Sequence, residues 1–192
     1  MPKGVPITPV DVIGMDLGIV NLAVDSMGET FSGAAVDAAR AHYSRRRRIL
    51  NKVDTKSARR RLSKIRRRSK RLVQKAQGTS AALALEDLAG IRQRGATVRK
   101  AQRSRHAGWA FGQWRAFVTY KAQLAGMPFL LVDPRDTSRT CASCGHGEKA
   151  NRKNQAAFVC RHCGYSASAD YNAARNIRSR ALVNTPMVGM LA

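Results

Sequence analysis

The chain has 192 residues, enough to bury one respectable core with a small appended module. Its 35 Lys+Arg against 12 Asp+Glu leave a net charge of +23, a self-repulsion that calls for a polyanionic partner and points to nucleic acid. No apolar run approaches the ~18 residues a membrane helix needs, and "MPKGVPITPVDVIGMD" lacks the apolar stretch of a signal peptide, so a soluble, cytoplasmic and nucleoid-associated protein is expected, with no membrane partner.

The first predicted elements are strands. "DVIGMDLGIVNLAVDS" reads as a strand ending near Asp16, a turn at Gly18 and a second strand through Leu22, Ala23 and Val24. "GETFSG" reads as a third strand, reached through the Met27-Gly28 turn. Basic helices follow over 37–77: between Arg40 and Lys75 there are seventeen Lys+Arg and one acid, Asp54. Within "SARRRLSKIRRRSKRLVQKAQ", Leu62, Ile65, Leu72, Val73 and Ala76 recur at helical spacing, so one narrow stripe can pack. The remaining faces carry Arg59, Arg60, Arg61, Arg66, Arg67, Arg68 and Arg71, with Arg45, Arg46 and Arg47 upstream. A charge run is commonly just a solvated face. One-sidedness this strong favours phosphate contacts instead, which give salt-sensitive affinity and little sequence information.

"SAALALEDL" is an apolar run ending in Glu86, as a buried strand does. "GWAFGQWRAFVTYKAQLAG" places Phe111, Trp114, Val118 and Ala122 on one helical stripe, read as core rather than as a stacking platform for bases. "MPFLLVD" reads as another buried strand, "DYNAARNIRSR" as a helix opening at Asp170, and 183–192 as a flexible tail. The order βββαβαβ–knot–α implies a mixed α/β sheet with helices against its faces.

Between the last strand and the last helix lie Cys141-x-x-Cys144 and Cys160-x-x-Cys163, fifteen residues apart, each pair followed by a glycine. In a reducing compartment such pairs point to metal rather than to disulfides. Two thiolates of a CxxC reach one ion when the backbone turns sharply behind them, and four thiolates close a tetrahedral shell with no open position. A structural zinc is the expectation. His162 is surplus to that set, and His42, His106 and His146 have no ligand spacing. Zinc ribbons serve in ribosomal proteins, transcription factors and nucleases alike.

In a chain this poor in carboxylates, Asp16 and Glu86 stand where apolar strands end, and Asp170 begins a helix. Carboxylates gathered at one end of a sheet repel one another unless cations sit between them, and Mg²⁺ prefers such hard oxygen ligands. Two such ions would serve phosphodiester hydrolysis. Ordinary turn and cap roles are the alternative, and that reading is kept for Asp25, Asp87, Asp133 and Asp136. Position alone does not separate Asp87 from Glu86.

"GMDLGIVNLAV", "ALEDLAGIR", the cysteine pairs within "TSRTCASCGH" and "FVCRHCGY", and "ADYNAARNI" follow one another in the order of the three split RuvC motifs and zinc ribbon of the TnpB (OrfB) family. These transposon-encoded, RNA-guided DNA endonucleases are similar to the nuclease lobe of type V CRISPR effectors, and the resemblance covers residues 10 to 180. It implies an RNase H-like (RuvC) domain over 10–136 and 169–182, with a four-cysteine zinc ribbon inserted over 137–168. It further implies Asp16, Glu86 and Asp170 as ligands of two Mg²⁺ ions, DNA as the substrate and a guide RNA as partner. Arg139 occupies a kept family position without an assigned role.

Two departures from the family pattern shape further expectations. The chain begins directly before the first RuvC strand, without the N-terminal region that grips guide RNA in relatives. Against that pattern, about a dozen residues of an apolar helix that covers the sheet are also missing before the Glu86 strand, so a truncated or degenerating copy is expected. Arg-rich turns make a poor lid, because burying unpaired charge is expensive. Either the basic helix slides over and presents its Leu62, Ile65 and Leu72 stripe, or one face stays poorly covered. Three readings therefore remain open: a metal-dependent nuclease, a non-cleaving nucleic-acid-binding remnant, and a zinc-ribbon adaptor of ribosomal or transcriptional kind.

Overall fold

The computed structural model describes residues 8–18, 21–32, 56–88, 111–154 and 156–184. Five strands form the central sheet: β1 (Asp11–Asp16), β2 (Asn21–Asp25), β3 (Thr30–Ser32), β4 (Ala81–Glu86) and β5 (Phe129–Val132). They lie in the order β3-β2-β1-β4-β5. The first three are antiparallel, as their short turns require, while β4 and β5 join in parallel after helical crossovers. Helices α1 (Lys56–Gly78) and α2 (Phe111–Leu124) supply those crossovers, and α3 (Ala169–Val183) closes the fold. This is the RNase H-like mixed sheet flanked by helices that the motifs imply.

Alternation along β1 divides the core between the two faces. Ile13, Met15 and Leu17 join Ile65, Leu72, Val73 and Ala76 of α1 and Trp114, Val118 and Ala122 of α2 in one cluster. Val12 faces the other way, with Ala82, Ala84 and Val132, against Ile177 and Ala181 of α3. The basic helix is thus the lid: its apolar stripe lies on the sheet, with Leu62 half-buried at its upstream end. The first of the two alternatives for covering that face is the observed one. Helix α1 is held at its C-terminal end by Lys75, which reaches Asp25 at 2.5 Å and Glu29 at 3.0 Å on the β2–β3 turn.

Two sequence expectations are corrected. "MPFLLVD" forms β5, but at the sheet edge, where Leu131 is 42% exposed, so it is not a buried strand. Of the tail expected over 183–192, Val183 is helical and Asn184 caps α3. The remaining tail residues, 185–192, and positions 37–55 of the basic segment lie outside the described residues.

Candidate functional site

Asp16 and Glu86 end neighbouring parallel strands. The pairing of β1 with β4 runs from Asp11↔Ala81 to Met15↔Leu85, so the two acids stand one step beyond the last pair. Asp16 shares the side of Val12 and Gly14, and Glu86 that of Ala82 and Ala84, so both point to the face covered by α3. Helix α3 runs back along β1. Arg178 bonds Asp11 at 2.7 Å, and the helix backbone presses on Gly14, where a Cβ would lie 2.3 Å from the Ala174 carbonyl oxygen. One helical turn earlier stands Asp170, over the end of β1 where Asp16 sits. Ser168 fixes that helix start by accepting from the Tyr171 N–H at 3.2 Å. An acid in the first turn also suits the helix dipole.

The electrostatics reflect this convergence. Burial pushes the Asp16 carboxyl well above its usual range, and the Glu86 and Asp170 carboxylates push it further, against Arg152 and the Leu17 N–H. Burial also raises Glu86, opposed by the Thr137 hydroxyl, Arg180 and Arg152. Asp87 is distinguished at last from its neighbour: it pairs with Arg115 at 3.0 Å instead of joining the acids. Asp25 and Asp133 cap turns, Asp25 accepting from the Met27 and Glu29 N–H groups and Asp133 from that of Arg135.

The cysteines converge as well. In each knuckle the first cysteine's carbonyl accepts from the following glycine's N–H, Gly145 at 2.9 Å and Gly164 at 3.1 Å, with those glycines at φ of 76° and 75°. All four sulfurs lie within 4.8 Å of one another, and the Cys141–Cys163 and Cys144–Cys160 separations are both 3.7 Å. A tetrahedron of thiolates about 2.3 Å from a central ion has edges of about 3.8 Å, so the four sulfurs fit one metal ion. Burial disfavours ionisation of Cys160, yet the N–H groups of Cys163 and His162 together with the Cys163 and Cys144 thiols outweigh it and bring the thiol down to about 6. Neither His146 nor His162 joins the sulfurs; their rings stack at 5.4 Å. Asn151, wholly buried, ties the two knuckles by donating to the Arg139 and His146 carbonyls and accepting from Arg161 N–H.

The cysteine unit and α3 are joined by residues that sequence reasoning missed. The β6 (Ala157–Val159) and β7 (Ser166–Ser168) hairpin feeds directly into α3. Buried Asn172 accepts from Ala142 N–H at 2.9 Å and donates to the Thr140 carbonyl at 2.8 Å, and Asn176 donates to the carbonyls of Thr137 and Thr140. Their i, i+4 spacing in an alanine-rich helix was the available signal. Arg152, Thr137 and Asn21 carried no such signal. Arg139 lies 3.7 Å from Asp136, on the surface.

The predicted phosphate-binding arginines divide. At 100° per residue, Arg60 and Arg67 fall opposite Ile65 and Leu72, with Arg71 on the flank of the helix, and all three are exposed. Arg71 also pairs with Glu29 at 2.9 Å. Arg66 lies over the Phe117 ring at 5.6 Å, and Arg68 is half-buried. Arg59 and Arg61 belong to α1, their side chains outside the described residues, as are Arg45, Arg46 and Arg47 altogether.

Comparisons with known proteins agree with this anatomy. A family model described as "Cas12f1-like, TNB domain" matches residues 111–177, and one described as "Probable transposase" (OrfB_IS605) matches 5–80. The chain is 42% identical over 93 residues to the CRISPR-associated endodeoxyribonuclease Cas12f1 of Sulfoacidibacillus thermotolerans, covering 48% of this chain and 20% of the relative. It is 30% identical over 109 residues to the TnpB-like protein MJ0751 of Methanocaldococcus jannaschii, covering 57% of this chain and 38% of that protein. The match therefore spans well under half of either relative's length. A solved Cas12f1–sgRNA–target DNA complex shares the fold, with a TM-score of 0.72, 23% identity and coverage of 90% of this chain and 50% of that one. The resemblance read from the motifs is borne out: the chain is TnpB-like. Among the described residues, no helix is long and apolar enough to cross a membrane.

Proposed function

We propose that this TnpB-like chain carries the cutting centre of an RNA-guided DNA endonuclease, cytoplasmic and acting at the nucleoid. Asp16, Glu86 and Asp170 are the ligands of Mg²⁺, and the domain that bears them spans 10–136 and 169–182. When bound, two such ions supply an activated water and stabilise the leaving oxygen of the phosphodiester. The chain's own residues do the rest: β1 and β4 set Asp16 and Glu86 side by side, and the close approach of α3 at Gly14 delivers Asp170. That three-way approach is the observation that carries the reading. The donor set is oxygen only, which suits a hard cation, and mutual repulsion among the acids gives a cation something to relieve.

Cys141, Cys144, Cys160 and Cys163 hold one structural zinc within a ribbon over 137–168. The sulfur spacing supports this, and four filled positions leave that metal no role in chemistry. Arg60 and Arg67 on the outer face of α1, with Arg71 on its flank, hold nucleic-acid phosphates. A guide RNA selects the target, on the strength of the relatives' named activities.

The test is a nicking assay on single-stranded DNA with purified chain and Mg²⁺, run beside Asp16→Ala. Nicking by the wild type, lost in the variant while DNA binding persists, supports the reading. Identical gels from the two proteins would hand the function to a non-cleaving nucleic-acid binder. Elemental analysis should return one zinc per chain, and well under one would remove the ribbon's metal.

A further inference from the structure

Two neutral hydrogen-bond donors reach the acid cluster from outside it. Thr137, only 2% exposed, donates its hydroxyl to Oε1 of Glu86. The Pro134 carbonyl, at 3.1 Å, competes for the same proton, but an ionised carboxylate is the stronger acceptor. The Thr137 backbone is itself pinned, because its carbonyl accepts from Asn176 Nδ2 of α3 at 2.8 Å. On the other side, Asn21 at the start of β2 donates its Nδ2 to Oδ2 of Asp170 at 3.3 Å, across 149 residues of chain. Gly18 leaves room for that contact: a Cβ there would lie 3.1 Å from the Asn21 carbonyl oxygen and 3.8 Å from Asp170 Oδ2.

We infer that Thr137 and Asn21 are positioning residues for a divalent-cation centre, each tying one oxygen of Glu86 or Asp170 so that the other oxygen is presented to the ion. The inference rests on the reading of these acids as cation ligands. A neutral donor suits the task better than a guanidinium. It restricts carboxylate rotation without cancelling the negative charge that attracts the cation. The two donors also come from opposite sides, one from the segment leading into the cysteine unit and one from the start of β2, so neither can substitute for the other.

The test is a Mn²⁺ titration followed by electron paramagnetic resonance, on the full chain purified with zinc and without nucleic acid. Thr137→Val is expected to weaken Mn²⁺ binding about 10–100-fold, the range seen when hydrogen-bond partners of metal ligands are removed. Thr137→Ser, which keeps the hydroxyl, should bind close to wild type, and Asn21→Leu should weaken binding in the same direction as Thr137→Val. Thermal unfolding of the zinc-loaded chain without added Mn²⁺ reports folding separately, and a purely structural role would lower that midpoint while leaving Mn²⁺ affinity alone. If the Val and Leu variants bind like wild type, or if Thr137→Ser loses as much as Thr137→Val, the inference is overturned and the cation reading stands. If wild type and Asp16→Asn titrate alike, the cation reading itself fails and takes this inference with it.

Discussion

Gly14 lies directly beneath Ala174, so close that a methyl group built on it would stand 2.3 Å from the Ala174 carbonyl oxygen and 2.3 Å from the Arg178 nitrogen. Both contacts are with backbone, which cannot rotate aside. The absence of a side chain at this position of β1 therefore sets the depth at which α3 rests, and with it the place of Asp170 over Asp16.

Gly14→Ala is accordingly expected to destabilise the fold by about 1–3 kcal/mol, toward the upper end because rigid atoms must move. Urea unfolding measures the loss. The same substitution should weaken Mn²⁺ binding at the acids. Loss of stability without loss of cation affinity would separate the helix seat from the site.

The raised carboxyls give a pH dependence with a definite sign. Asp16 and Glu86 both ionise at higher pH in the folded chain than when unfolded, chiefly through burial. The folded state thus binds their protons more tightly, and the stability this contributes is complete below the unfolded carboxyl range. It is lost as pH rises through the folded values. At neutral pH without divalent cation, the ionised cluster opposes folding. Asp16→Asn should therefore raise the melting temperature of the zinc-loaded chain at pH 7 without added Mg²⁺ or Mn²⁺, and the gain should shrink on acidification. Added Mg²⁺ should stabilise wild type more than Asp16→Asn.

The lid role of α1 predicts a large effect from a residue embedded in the most basic segment. Leu72 is wholly buried among sheet and α2 side chains. Leu72→Ala should cost about 2–5 kcal/mol in a denaturant titration. A change near zero would mean that the basic helix does not cover the sheet in solution.

The outer face of α1 should read out in salt dependence. Replacing both Arg60 and Arg67 by glutamine should flatten the slope of log affinity for duplex DNA against log salt by about 2, roughly one per phosphate contact. Arg66→Gln, whose guanidinium lies over Phe117, should change that slope less. Equal slopes for all three proteins would remove α1 from the interface.

Much of the architecture was legible because it is written in local patterns. Apolar runs ending in acids marked β1 and β4, helical spacing marked Ile65, Leu72 and Ala76, and the CxxC spacing marked the sulfur cluster. What stayed hidden depends on pairing across the chain. "MPFLLVD" looks the same whether a strand has one neighbour or two, so the exposure of Leu131 could not be read from it. Glu86 and Asp87 became distinguishable only through the register with β1, which turns one toward α3 and leaves the other to Arg115. Asp25, read as a turn residue, does cap its turn, but its burial against Lys75 on a helix fifty residues away has no local signature. Thr137 and Asn21 are ordinary polar residues until the fold brings them to carboxylates far along the sequence.

The central claim is that three acids from β1, β4 and α3 share divalent cation, and anomalous diffraction from crystals grown with Mn²⁺ tests it most directly. Anomalous density bounded by the carboxylates of Asp16, Glu86 and Asp170, and lost in crystals of Asp16→Asn, is the predicted result. Crystals in which Mn²⁺ occupies other sites, or none, while those three carboxylates stay metal-free would contradict the account.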